Sequence, residues 1–303
     1  MKHILIISSV KGLDMSRQPL LDLVDFTNEA LNNVGHDSVV TAVYLDELIH
    51  VYHGEEVHVR IATTGEDIAD FDFVWLRGRF VPVMNDVALI AEYLEYKGVD
   101  YMNHSYAYRS AYGKNAQMFL LSRLGLPFPK TIFAAGEHAA TAFMAGLSFP
   151  MIIKNNHGAH GEKNYLVDTE QKLHEILTSH PETNFVAQEY IPNDADFRVL
   201  IAGDEHLIIR RQGLPGSHLN NTSQGGSATL VSSKDFPAEI VAQARHFAAA
   251  LHYEISGVDV LFSKDTGKHY FLEANSQPQI ISGAFIYEKQ ALLGRYLASR
   301  LSR

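Results

Sequence analysis

Apolar and polar positions alternate between two periods along the first hundred residues, and the switch between them predicts alternating strands and helices. Ile4-Leu5-Ile6-Ile7-Ser8-Ser9-Val10 is a short continuous apolar run, the pattern of a strand buried on both faces. A helical period follows from Leu20 to Asn33, Gly35-His36-Asp37 stops it, and Ser38 to Tyr44 returns to strand. Phe73-Val74-Trp75-Leu76-Arg77 reads as another strand running into Arg77-Gly78-Arg79, and Asp86 to Lys97 as a helix closed by Gly98. Residues 1–105 are therefore expected to form a small α/β unit with a parallel sheet. Arg77 and Arg79 can meet an anion from the strand's carboxyl end or stand as exposed rim charges.

Two further units are expected, at 106–187 and 188–303. The first holds a helix over Lys114 to Leu124, a Gly125-Leu126-Pro127 break, the strand Met151-Ile152-Ile153-Lys154 and the strand Tyr165-Leu166-Val167. At the junction lies Val186-Ala187-Gln188-Glu189-Tyr190-Ile191, stopped by Pro192. Beyond it come strands at Asp196 to Ile201 and Leu207 to Arg211, and then two apolar runs, Gly257 to Phe262 and His269 to Asn275, around the turn signal Lys264-Asp265-Thr266-Gly267.

That hairpin carries the strongest chemical signal. A turn centred on Thr266 sets Asp259 opposite Glu273, with Asn275 two residues on and on the same face. Side by side, two carboxylates repel unless a cation sits between them, and a hard divalent ion with oxygen ligands fits. A solvated polar face on an edge hairpin is the competing interpretation.

Composition narrows the classes. The chain has 303 residues, 46% of them hydrophobic, enough for two or three compact units with real cores. It contains no cysteine, which excludes disulfides and thiolate metal sites and agrees with a cytoplasmic setting. A formal charge of −10 argues against broad nucleic-acid binding. The apolar runs are too short to span a bilayer. Sixteen histidines are scattered without ligand spacing.

Other candidates gain force from their order. Lys154 ends a strand before a loop with Gly158 and Gly161, which can fold over phosphates. Gln188, Glu189, Tyr190 and Ile191 lie on an interdomain strand able to offer backbone groups to an adenine edge. Asp196 can bond a ribose hydroxyl or simply begin a polar strand. Arg210 and Arg211 end another strand ahead of the polar loop Asn220-Asn221-Thr222-Ser223-Gln224-Gly225-Gly226, and an arginine there can meet a transferring anion or an ordinary acid.

With these elements in this sequence, from about residue 100 to 300, the chain resembles the ATP-grasp superfamily, and within it the RimK-like ligases that join glutamate to protein termini. The resemblance implies an α+β ATP-grasp fold, a parallel-sheet unit followed by two α+β subdomains that clamp ATP. It implies Lys114 and Lys154 on the phosphates, Glu189, Tyr190 and Ile191 around adenine, and Asp196 on ribose. It places Asp259, Glu273 and Asn275 on Mg²⁺, with Mn²⁺ as the alternative, and Arg211 and Asn221 beside the transferring phosphoryl group. The implied reaction joins a carboxylate-bearing peptide or small-molecule acceptor to an amine donor through an acyl phosphate. Formation of ester or amide crosslinks within a peptide, and ATP binding without catalysis, are the other readings. No nucleic-acid or membrane partner is expected, and a homo-oligomer is left open. Lys163 and Gln277 stand where similar enzymes carry small residues or glycine, a departure that bears on the lid loop and the acceptor pocket.

Overall fold

The computed structural model describes residues 1–9, 17–78, 80, 83–108, 113–158, 163–214, 217, 220 and 225–302. Its first unit is a four-stranded parallel sheet built from β1 (Lys2–Ser8), β2 (Ser38–Tyr44), β5 (Phe73–Leu76) and β6 (Tyr101–Met102), in the order β2-β1-β5-β6. Both faces are covered, which is why β1 is apolar without alternation. Ile4 and Ile6 pack with Leu23 and Phe26 of α1 (Gln18–Asn32), while Leu5 and Ile7 pack with Val87, Ile90 and Leu94 of α2 (Met84–Lys97). All four β1 aliphatics are fully buried, each contributing on the order of 1.5–3 kcal/mol. An antiparallel ribbon of β3 (Leu48–His53) and β4 (Glu56–Ile61), which the sequence pattern did not reveal, leads from β2 to β5.

The second sheet is antiparallel, in the order β7-β10-β8-β9, from β7 (Thr131–Phe133), β8 (Met151–Asn155), β9 (Asn164–Val167) and β10 (Phe185–Glu189). One face buries Met151, Ile153, Val167, Phe185 and Ala187 under α4 (Ala139–Gly146) and α5 (Glu170–Ser179). The break expected at 187/188 falls inside β10. Gln188 and Glu189 pair with β8, so they belong to the middle sheet.

The third sheet is antiparallel and five-stranded, β13-β12-β11-β14-β15. It comprises β11 (Asp196–Ala202), β12 (Glu205–Gln212), β13 (Ser227–Val231), β14 (Ile255–Phe262) and β15 (His269–Asn275). Val199, Ile201, Ile208, Val258, Val260 and Phe271 cover one face, against α6 (Ala238–Ala250) and against Met118 and Leu121 of α3 (Lys114–Arg123). On the other face Leu200, Ala202 and Ile255 are capped by α7 (Ile286–Leu301), which also packs on α1. The remaining part of that face carries charge. No helix among the described residues is long and apolar enough to cross a membrane.

Candidate active site

Asp259 does pair with Glu273, but the hairpin turn alone does not put them together. Phe262 pairs with His269, Leu261 with Tyr270 and Val260 with Phe271. The turn is thus centred between Asp265 and Thr266 rather than on Thr266, and a regular ladder would set Leu272 opposite Asp259. A bulge between Asp259 and Val260 takes up the extra residue and delivers Glu273 to the charged face, a re-aiming that bulges commonly perform. Asn275 pairs with Gly257 on the same face, and its Nδ2 donates to Glu273 Oε1 at 3.1 Å.

Asp259 is 4% exposed and both its oxygens are engaged. Arg198 Nε donates to Oδ1 and Arg198 Nη2 to Oδ2, each at 2.8 Å, and Arg211 Nη2 lies 3.0 Å from Oδ2. Arg211 Nε donates to Asp196 Oδ1 at 2.6 Å. Cross-strand pairing explains the cluster: Arg198 is opposite Asp259 and Asp196 is opposite Arg211. Burial pushes the Asp259 carboxyl up, yet Arg198 and Arg211 together hold it below its ordinary value. For Asp196 burial prevails over Arg211, and its pKa is raised. Burial works against the Arg211 cation, but the two carboxylates raise its pKa above the ordinary value. Asp196, expected on ribose, is buried, and its Oδ1 is the partner of Arg211. The Asp196-Phe197-Arg198 spacing sets Asp196 and Arg198 on one face of β11.

The lysines come from α3 and β8. Lys114 begins α3, with Nζ donating to the Gly158 carbonyl at 2.6 Å and lying 3.3 Å from Glu273 Oε2. Burial raises the Glu273 pKa and Lys114 lowers it, for a net depression. Buried Asn156 anchors this helix end: its carbonyl accepts from Lys114 N–H and its Oδ1 from Asn115 N–H, both at 2.9 Å. Gly113, at φ +120°, leads into the helix where a Cβ would lie 2.9 Å from Asn156 Nδ2. One turn on, Gln117 grips the edge of β15 as a backbone would: its Nε2 donates to the Ala274 carbonyl and its Oε1 accepts from Ala274 N–H, both at 2.9 Å. Glu273 and Asn275 flank that grip. Lys154 is the penultimate residue of β8, within electrostatic reach of Glu273, Asp259 and Asp196, and its ammonium makes no hydrogen bond or ion pair to a described residue. Burial draws it down to about 8 against the pull of Glu273.

Several expected ligands are occupied elsewhere. Gln188 is buried, and its Nε2 donates to Thr131 Oγ1 at 2.9 Å and approaches Met118 Sδ at 3.4 Å. Because β10 is central, Gln188 pairs with both Ile152 and Thr131. Glu189 N–H donates to the Lys130 carbonyl, and its Oε1 accepts from Lys130 N–H at 2.8 Å. Tyr190 and Ile191 lie half-buried beyond the end of the strand. Gly158 N–H donates to the Asn155 carbonyl at 3.2 Å. Lys163 reaches Thr183 Oγ1 at 2.7 Å. Gly161, Asn221 and Arg79 lie outside the described residues.

Among the described residues no three His, Cys, Asp or Glu side chains converge as a metal cluster. The patch offers two carboxylates and an amide, all oxygen donors. Each carboxylate oxygen has two lone pairs, so Asp259 can keep its arginines and still face an ion, while Lys114 holds Glu273 through one long contact. The donor set thus fits an oxygen-seeking divalent cation.

Two antiparallel α+β layers closing on a charged crevice, preceded by a parallel sheet, make up the architecture of ATP-grasp ligases. The ligase PsnB complexed with minimal precursor, Mg and ADP superposes with a TM-score of 0.69 at 18% identity, over 99% of this chain and 98% of that one. D-alanine–D-alanine ligase from Bacillus anthracis, complexed with ATP, gives 0.68 at 17% identity, over 100% and 98%. In sequence, residues 111–286 match the RimK-like ATP-grasp domain, and the chain belongs to that family. A probable alpha-L-glutamate ligase of Pseudomonas aeruginosa is 29% identical over 270 residues, 87% of this chain and 86% of the relative.

Proposed function

We propose that the protein condenses a carboxylate with an amine to form an amide, at the expense of ATP, and that it adds an amino acid to a peptide or protein. The observation that supports this most is the charge balance of the crevice. Among the described residues Lys114, Lys154, Arg198 and Arg211 face Asp196, Asp259 and Glu273, and the Lys154 ammonium takes no hydrogen bond or ion pair from them. Four cations against three carboxylates favour a polyanion. The name shared by the curated relatives makes L-glutamate the first amino acid to try.

Lys154 and Lys114 take phosphate oxygens, and Tyr190 with Ile191 flanks the base. Asp259, Glu273 and Asn275 would hold Mg²⁺ or Mn²⁺, which when bound offsets the charge that keeps an incoming carboxylate from the γ-phosphate. A carboxylate oxygen attacks the γ-phosphorus and ADP leaves; the amine nitrogen then attacks the acyl carbon, phosphate leaves, and the amine gives up a proton. Arg211 keeps donors beyond those used by Asp196 and Asp259, and losing one aimed at developing charge would cost on the order of 3 kcal/mol. Incubation with Mg-ATP and pools of amino acids and peptides, reading ADP release and product mass together, tests this. A mass gain of one condensed amino acid supports the proposal, loss of water within one peptide points to crosslinking, and saturable ATP binding with neither result overturns ligation.

A further inference from the structure

Arg77 has no task in this scheme, and its surroundings are unusual for a surface cation. Its Nη2 donates to the Pro278 carbonyl at 3.0 Å, and its guanidinium carbon lies 5.0 Å from the centroid of the Trp75 ring. Its Nη1 is buried with no hydrogen-bond partner, and no carboxylate pairs with it among the described residues. Burial lowers its pKa to about 10, and only the Tyr106 hydroxyl acts in the other direction. A guanidinium N–H that is buried and left unused is costly unless an anion completes it.

Sheet topology independently marks the same place. The parallel sheet runs β2 to one side of β1 and β5 to the other, so the chain reverses its direction of travel between β1 and β5. Open parallel sheets take ligands in the crevice beyond the carboxyl ends of strands at such a point. Arg77 follows β5 there, its N–H bonded to the Ile7 carbonyl at 2.9 Å. The next residue, Gly78, runs so close to β1 that a Cβ would lie 2.3 Å from Ser9 N.

Across the crevice is the segment that follows Asn275. Pro278 packs against Gly257, with Pro278 Cβ and the Arg198 side chain each 3.2 Å from where a Gly257 Cβ would stand. Gly257 is in turn the register partner of Asn275. Arg77 therefore reaches the charged patch through one residue. Lys289, buried on α7, donates from Nζ to the Ser282 carbonyl at 2.7 Å, with no acid paired to it among the described residues.

The geometry points to Arg77 as the clamp for a carboxylate that is not activated, carried by the amino acid that supplies the amine. Resting on the ligase reading above, this names how the second substrate is held. An amine donor with a free carboxylate must keep that group away from the γ-phosphate, and a guanidinium fork just beyond Asn275 does so while fixing the amine's direction. Either the α- or the side-chain carboxylate has the required chemistry.

Calorimetric titration of L-glutamate, L-glutamine and isoglutamine into the wild type, Arg77→Met and Arg77→Lys, with a non-hydrolysable ATP analogue and Mg²⁺ present, tests the assignment. Arg77→Met is expected to weaken L-glutamate about 10- to 100-fold and leave the ATP analogue's affinity unchanged. The amide that already binds the wild type weakly, and is indifferent to the substitution, identifies the clamped carboxylate. If Arg77→Met does not fold, Arg77→Lys is judged by the same criteria. Unchanged L-glutamate affinity, equal weakening of the nucleotide and all three ligands, or no binding of any of the three by the wild type overturns the clamp. ADP release by the wild type is scored separately, so turnover that is insensitive to Arg77 sinks this inference and leaves the ligase reading standing.

Discussion

Asp259 and Glu273 occupy one patch but carry different structural burdens, and neutralising each in turn separates them. Asp259→Asn preserves shape while removing the charge that holds Arg198 and Arg211 on the same carboxylate. It also turns an amide N–H toward guanidinium donors. Breaking a buried pair from one side costs about 3–5 kcal/mol, a large part of a total stability on the order of 5–15 kcal/mol. Glu273 has one 3.3 Å contact to Lys114 and a side chain 28% exposed, so Glu273→Gln is expected to cost about 0–1 kcal/mol. Both variants should lose turnover. Urea unfolding followed by circular dichroism and by the single tryptophan, Trp75, reads the difference. With a denaturant slope of about 3 kcal/mol/M, Asp259→Asn should unfold about 1–2 M earlier than wild type and Glu273→Gln within about 0.3 M of it. An Asp259→Asn midpoint unchanged from wild type, or equal losses in the two variants, would refute this division. The same contact makes Asp259 an acid-sensitive element. Its folded pKa lies below the ordinary carboxylate value, so its contribution is complete above that value and is lost as pH falls through the lower folded one.

Lys154, drawn down to about 8, should pick up a proton when ATP binds at pH 8.5, detectable as a buffer-dependent binding enthalpy that Lys154→Met abolishes. In the unliganded protein the pH slope has the same sign as that of Asp259 but lies in an alkaline window: between about 8 and its unfolded value the unfolded chain binds the extra proton, so this group's contribution to stability rises with pH. Gln117→Ala removes both bonds to Ala274 and should lower thermal stability by about 1–2 kcal/mol while reducing turnover more than ATP affinity, since Glu273 and Asn275 lose their brace. Gly113→Ala should destabilise by about 1–3 kcal/mol in thermal unfolding, because φ +120° and the 2.9 Å approach to Asn156 both exclude a Cβ.

What the chain's own order determined was the class of protein. Local period placed β1, α1, β2, β5, α2 and α3 within a few residues, and the succession of Lys114, Lys154, Asp196, Arg211, Asp259 and Glu273 pointed to the family, because each of these residues stands at the end or on one face of an element whose type its neighbours dictate. Partners were another matter. Arg198 meets Asp259 across 61 positions and Gln117 meets Ala274 across 157, and no spacing rule links residues that only sheet pairing or helix docking brings together. For the same reason Asp196 reads as a free acid in sequence and becomes a buried ion-pair partner once β12 lies beside β11. Gln188 and Glu189 read as available backbone until β7 and β8 close on both sides of β10. Even the pairing of Asp259 with Glu273 depends on the bulge at Leu272, since side chains alternate every residue along a strand and a single added residue decides which face a carboxylate meets.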